Sequence, residues 1–419
     1  MNLTERDRRH LWHPYTQEKL APPPIPLMRG RGVWLYTEDG GQILDGISSW
    51  WVNIHGHSHP FLNEALARQA GELEHAMFAG FTHRPAIELA EKLVGVLPPG
   101  LSKVFYSDNG STAVEVALKM AYQFWLNTGQ EERRIFVALE NAYHGDTFGA
   151  MAASGDSPFT APFKEMLFKV LRASDAAALE QIFRENKGAI AALIIEPMLQ
   201  GAGGMIVWEA EFLKQVRELC DRYNVLLIAD EVLTGFGRTG KMFACQHASI
   251  SPDIICLSKA LTAGYLPLGA TAATEEIYEA FYSDDRRKTF FHGHSFTANP
   301  LACAVAAASL DLFETENCLE KIAVINRHFQ ARLSSLRAYR CVADARIIGA
   351  VLAVEIASKS GGYLADIGQK IYGEFIRRGI LLRPLGNVLY FMPPYVIAEN
   401  EIEWVLDEIE EVLAALPFD

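Results

Sequence analysis

Apolar positions along this chain recur with two different periods, and the switches between them mark its elements. Residues 33–45, VWLYTEDGGQILD, alternate as two short strands around an Asp-Gly-Gly turn. Residues 61–75 and 85–97 carry apolar side chains at helical spacing. KVFYSDNGST at 103–112 reads as a strand, a loop and a helix start, and the helix then runs to Gly129. Beyond it, short apolar strands alternate with helices: strands at 134–140, 189–197, 225–232 and 253–260, helices near 175–187 and at 210–223. That alternation predicts an α/β fold whose mainly parallel sheet is covered on both faces. Residues 299–337 predict one or two long helices. From about 340 the pattern changes to strands, a helix, a hairpin (ILLRPLGNVLYFMPP) and a last helix, which together predict a smaller α+β unit joined by the N-terminal strands.

The length of 419 residues fits two domains better than one core. The division expected is a large unit over 49–314 and a small one built from 1–48 and 315–419. A net charge of −13, with no long basic stretch, argues against nucleic acid or an anionic membrane as partner. No apolar run reaches the length of a membrane span, and MNLTERDRRHLWHPYT is charged where a signal peptide would be apolar. The six cysteines are scattered without a CxxC pair, as buried thiols would be. A cytoplasmic protein is expected.

The chemistry concentrates at strand ends. Asp230 closes the apolar run 225–229, and Lys259 follows twenty-nine residues later in SKALTAGYLPLGA. A Lys among small apolar neighbours is desolvated, its pKa lowered, and its neutral amine can form a Schiff base. A buried Asp is expensive unless paired. Paired with a pyridinium at about 3 Å it gains roughly 5 kcal/mol at most. Together the two residues suit pyridoxal phosphate. Val232 can pack on one ring face and Tyr143, in NAYHGD, on the other. Gly110 and Ser111 open a helix whose N-terminus can hold a phosphate, and Thr112 and Glu115 stand at capping-box spacing. Arg383 suits a carboxylate; Tyr15, Trp50 and Trp51 can wall a pocket. His55, His57 and His59, like His292 and His294, lack the acidic or cysteine partners of a metal site, and none is expected.

LLIADEVLTGFGRTGKMFAC and PDIICLSKALTAGYLPLGA resemble the signature of the class III aminotransferases, fold-type I enzymes that use pyridoxal phosphate. LWHPYTQ, DGISSWWVNIHGHSHP, FAGFTHRPAIELAEKL, IIEPMLQGAGGM and RPLGNVLYFMPPY extend the similarity over nearly the whole chain. They are most similar to members that pass an amino group from S-adenosylmethionine to 8-amino-7-oxononanoate in biotin biosynthesis. The resemblance implies a large domain with a seven-stranded sheet and a homodimer with shared sites. Lys259 would carry the cofactor, Asp230 its ring nitrogen, and Gly110 and Ser111 its phosphate. Tyr143 and Trp50 would contact substrate and cofactor, while Tyr15 and Arg383 would recognise the keto acid. Gly293 would touch substrate, and His294 and Ser295 would reach the partner's phosphate. Gly293-His294-Ser295-Phe296 departs from the Gly-Pro-Thr-Phe of many members, and resembles relatives that use lysine as donor. A different class III substrate (an ω-amino acid or a diamine), a fold-type I decarboxylase or mutase, and a non-catalytic protein reusing the fold remain as competing readings.

Overall fold

The computed structural model describes residues 2–358 and 362–416; residue 1 and residues 359–361 and 417–419 of the expected small unit lie outside that range. At its centre is a seven-stranded sheet. The strands run in the order Leu101–Ser107, Gly269–Thr274, Ile254–Leu257, Leu226–Asp230, Ile190–Ile195, Ile135–Leu139, Val170–Ala173. Gly269–Thr274 is antiparallel to both neighbours; the other six point one way. Ile190–Ile195 is buried along its whole length, as a strand covered on both faces must be.

Two of the seven strands carry no strong sequence pattern. Gly269–Thr274 reads GATAAT, small residues without alternation, because helix Gly110–Asn127 lies close against it. Thr271 donates its hydroxyl to Ala113 O at 2.8 Å. A Cβ on Gly269 would stand 2.4 Å from Asn109 O. Close packing has replaced bulk as the selection on this strand.

Helices Arg84–Val96 and Pro300–Thr315 pack together on the same side as Pro60–Ala70. The predicted helix at 61–75 ends at Ala70, where Gly71 caps it. The hairpin expected from ILLRPLGNVLYFMPP does not form. Ile380–Leu381 instead pairs in parallel with Gln42–Asp45, completing a sheet with Leu27–Arg31 and Trp34–Thr37. Val388–Phe391 pairs with Val351–Ile356, which pairs with Val342–Ile348. Only the bridge Leu385–Val388 remains of the hairpin. Buried Leu382, Leu389 and Phe391 take the apolar run into the core, so its alternation marks burial and not mutual pairing.

Candidate active site

A cavity of about 660 Å³ opens at the carboxyl ends of the parallel strands, where ligands of open α/β sheets bind. Four of the strand ends contribute polar groups to it. Lys259 follows Ile254–Leu257, Asp230 ends Leu226–Asp230, Glu196 follows Ile190–Ile195, and Tyr143 and His144 follow Ile135–Leu139. Helix Gly110–Asn127 starts beside them.

The start of that helix corrects one detail. Its N-cap is Asn109, whose side chain accepts from Thr112 N at 3.0 Å, with Thr112 as the reciprocal partner. Glu115 instead accepts from Gly149 N and Ala150 N. The first backbone N–H groups therefore face the cavity from Gly110 and Ser111. Gly110 is required there, because a Cβ would stand 2.6 Å from Val232 Cγ1. Thr147 N donates to Ser111 Oγ at 2.9 Å, and Thr147 Oγ1 lies 2.8 Å from it. Gly110, Ser111 and Thr147 line the cavity where the helix begins, and a helix N-terminus favours an anion.

Lys259 sits at φ 45° and opens onto the cavity. Burial pushes its ammonium down to about 8, against the pull of Asp230 and Glu196. The Trp51 ring lies 4.5 Å from Nζ. Asp230 is buried; His144 Nδ1 donates to its Oδ2 at 2.7 Å and Val232 N to its Oδ1 at 3.1 Å. These donors orient the carboxylate. His144 Nε2 is buried and has no partner among the described residues. Glu196 accepts from Tyr143 N and Gly201 N, both at 2.9 Å, and burial raises its carboxyl to about 7.

Toward the mouth the groups become aromatic. Tyr15 OH lies 3.0 Å from Tyr143 OH and donates to Asp146. Burial, and then Asp146, raise the Tyr15 phenol to about 12. The Tyr15 ring stands 5.4 Å from Trp50, and the Arg383 guanidinium 4.7 Å from the other end of this chain of contacts, the Trp50 ring. Trp51 is buried in the cavity wall while Trp50 is at the rim. The residues Ser48–Trp51 that present them form one left-handed helical turn, with φ between 46° and 76°. Such a turn costs about 1–2 kcal/mol per residue without glycine.

Lys259, Asp230, Tyr143, Gly110, Ser111, Val232 and Trp51 thus share one cavity, with Tyr15, Trp50 and Arg383 linked to it at the rim. Gly293, His294 and Ser295 lie outside its wall. His294 is 3.3 Å from Asp108, and Gly293 and Ser295 are exposed. Sequence reasoning passed over His144, Glu196, Thr147, Asp146 and Arg238. His144 adjoins Tyr143 and carried a usable signal, a histidine in a loop at a parallel strand's carboxyl end. Arg238 did not: its guanidinium, fully buried, donates to Trp51 O, Asn53 O and Pro393 O, a role only the folded chain reveals.

Known proteins are similar to this chain over nearly its whole length. An adenosylmethionine-8-amino-7-oxononanoate aminotransferase of Synechococcus elongatus is 48% identical, over 96% of this chain and 98% of its own. The crystal structure of an adenosylmethionine-8-amino-7-oxononanoate aminotransferase from Methanocaldococcus jannaschii superposes with a TM-score of 0.96 at 36% identity, covering 99% of both chains. An amine transaminase from an uncultivated Pseudomonas species, solved with pyridoxal phosphate bound, gives 0.91 at 32% identity over 96% of this chain and 98% of its own. Residues 15–413 match the family described as aminotransferase class-III, and the chain belongs to it.

Proposed function

We propose that this chain transfers the amino group of S-adenosylmethionine to the keto group of 8-amino-7-oxononanoate, giving 7,8-diaminononanoate for biotin biosynthesis, with pyridoxal phosphate as cofactor. The cavity fits that cofactor. Donors at the helix start suit its phosphate, Gly110 leaves space where a Cβ would strike Val232, and the unpartnered His144 Nε2 lies beside the Asp230 that would face a ring nitrogen. Bound there, pyridoxal phosphate supplies the electron sink that lets an amino group leave one carbon and join another. Lys259 would hold the cofactor and, with burial pushing its ammonium down to about 8, would present a neutral amine often enough at neutral pH to move a proton at the substrate carbon. Asp230, oriented by two N–H donors, would face the ring nitrogen.

The observation that carries the substrate reading is the rim. Tyr15, Tyr143 and Trp50 offer aromatic faces suited to a sulfonium cation and an aliphatic chain, and Arg383 beside Trp50 offers a carboxylate anchor.

Gly293, His294 and Ser295 are assigned to the active site of a second copy, in a homodimer with shared sites. The exposure of Gly293 and Ser295, and the position of all three outside this chain's own cavity, support the assignment, and a mass measurement in solution tests it. The division into a cofactor-binding unit over 49–314 and a smaller unit over 1–48 and 315–419 belongs to the same reading. A cytoplasmic location is in keeping with six buried, unpaired cysteines. No helix among the described residues is long and apolar enough to cross a membrane.

The deciding experiment is a half-reaction on the purified yellow protein. Adenosylmethionine alone should bleach the absorbance of the lysine-bound cofactor, and 8-amino-7-oxononanoate should restore it. Bleaching by lysine alone would change the donor, and bleaching by neither would refute the reading.

A further inference from the structure

Three histidines follow the two tryptophans, and the reaction leaves them without a task. The structure separates them. His55 Nε2 lies 3.0 Å from Ser309 O, and His59 Nε2 3.0 Å from Glu316, both away from the cavity. His57 turns the other way. Its Nε2 lies 2.9 Å from Asp45 Oδ2. Asn53 Nδ2 donates to its Nδ1 at 3.1 Å, which leaves the ring proton on Nε2 for Asp45. Gly30 makes room for the ring, since a Cβ there would stand 2.7 Å from His57 Cβ.

Asp45 is fully buried and spends its other lone pairs on the strained turn. It accepts from Ser49 N at 2.9 Å, Ser49 Oγ at 2.7 Å and Ile47 N at 3.3 Å. Ser48, Ser49, Trp50 and Trp51 have φ of 52°, 46°, 70° and 76°. Four successive side-chain-bearing residues hold that conformation only where the surroundings fix it. Asp45 is the carboxylate that does so at the turn's start, and among the described residues His57 is its one side-chain partner outside the turn. At the far end the turn delivers Trp50 to the Arg383 guanidinium.

We propose that Asp45 and His57 are positioning residues for Arg383: they lock Ser48–Trp51 in its left-handed turn and so fix the Trp50 ring against the guanidinium. The proposal rests on the reading that Arg383 receives the carboxylate of 8-amino-7-oxononanoate. His57 would then act on substrate recognition through Asp45 and Trp50 without touching the substrate or the cofactor.

The test uses steady-state kinetics of the holoenzyme with 8-amino-7-oxononanoate varied at saturating donor. In His57→Ala, losing one hydrogen bond to a buried carboxylate should raise KM about tenfold. The kcat and the absorbance of the lysine-bound cofactor should be retained. His57→Gln, whose amide N–H can still be donated to Asp45, should recover most of the loss. An unmoved KM in His57→Ala overturns the proposal. So does an equal fall in kcat, kcat/KM and cofactor content, the mark of a merely structural histidine. Where His57→Ala does not fold, Ser49→Ala removes only the Oγ contact and should raise KM a few-fold; no change there is equally fatal. If the unaltered enzyme does not turn over the keto acid, the carboxylate role of Arg383 falls first and this proposal with it.

Discussion

Replacing Lys259 by Met in the cofactor-free protein should stabilise it, although the reaction proposed for this chain needs the amine. Met keeps the length of the side chain and removes the charge. The ammonium's affinity for its proton falls from the ordinary 10.5 to about 8 because burial penalises the charged form. At about 1.4 kcal/mol per tenfold change, the folded state loses about 3 kcal/mol by holding it charged at pH 7. The cation–ring contact with Trp51 offsets part of that, so a gain of about 2 kcal/mol is expected in the variant. The pH dependence carries the sign. Between about 8 and 10.5 the unfolded chain still binds a proton that the folded chain has released, so the parent gains stability as pH rises through that window. The advantage of Lys259→Met should therefore be full below pH 8 and vanish by about 10.5. Urea unfolding of both cofactor-free proteins at pH 7, 8, 9 and 10 measures the difference, and other titrating groups cancel in it. A difference that stays constant with pH, or a parent more stable than the variant at pH 7, would refute the account of Lys259 as a desolvated amine.

Other substitutions probe the rest of the site. His144→Ala leaves a buried Asp230 without its 2.7 Å donor; kcat/KM should fall by roughly ten- to a hundredfold for a charged hydrogen bond of about 1.5–3 kcal/mol. His144→Asn, which keeps a donor near Nδ1, should lose less, and cofactor affinity measured by dialysis should follow the same order. Arg383→Ala should raise KM for 8-amino-7-oxononanoate by about ten- to a hundredfold and that for the donor less; equal effects on both would remove its carboxylate role. Gly110→Ala places a Cβ 2.6 Å from Val232 Cγ1. Overpacking of about 1–3 kcal/mol should appear as weaker cofactor binding in titrations, with the far-ultraviolet circular dichroism unchanged.

Much of the fold was legible because a buried parallel strand is a short apolar run, and four of the seven central strands have that form. Helix Ala210–Tyr223 matched its predicted bounds because its apolar stripe is sharp and Asn224 closes it in a left-handed cap. Gly269–Thr274 escaped notice because its constraint is closeness to Asn109 and Ala113, which leaves small residues and no alternation. The hairpin after Ile380 was misjudged because alternation reports which face is buried and says nothing of which strand lies alongside. Lys259 and Asp230 were legible as chemistry, each at the end of an apolar strand. Glu196 was not, because a Glu after a strand is common and only the fold turns it inward.

The left-handed residues tie these observations together. Tyr15, Trp50, Trp51 and Lys259 have φ of 52°, 70°, 76° and 45°; Trp51 and Lys259 line the cavity, Tyr15 reaches its Tyr143, and Trp50 packs against Tyr15 at the rim. None is glycine, and two are tryptophan, so local propensity opposes every one. Strain of this kind costs about 1–3 kcal/mol per residue and persists only where packing over-determines it. The fixings are visible here: Asp45 and Arg238 hold the Trp50–Trp51 turn from its two ends, and Tyr390 OH receives Trp51 Nε1–H at 3.0 Å. Glycine at these positions would relieve the backbone and abolish the rings and the amine on which the proposed reaction relies. The sequence therefore breaks its own local rules where the chemistry needs a particular side chain aimed in a particular direction, and a substitution that relaxes such a position should stabilise the protein and weaken the enzyme together.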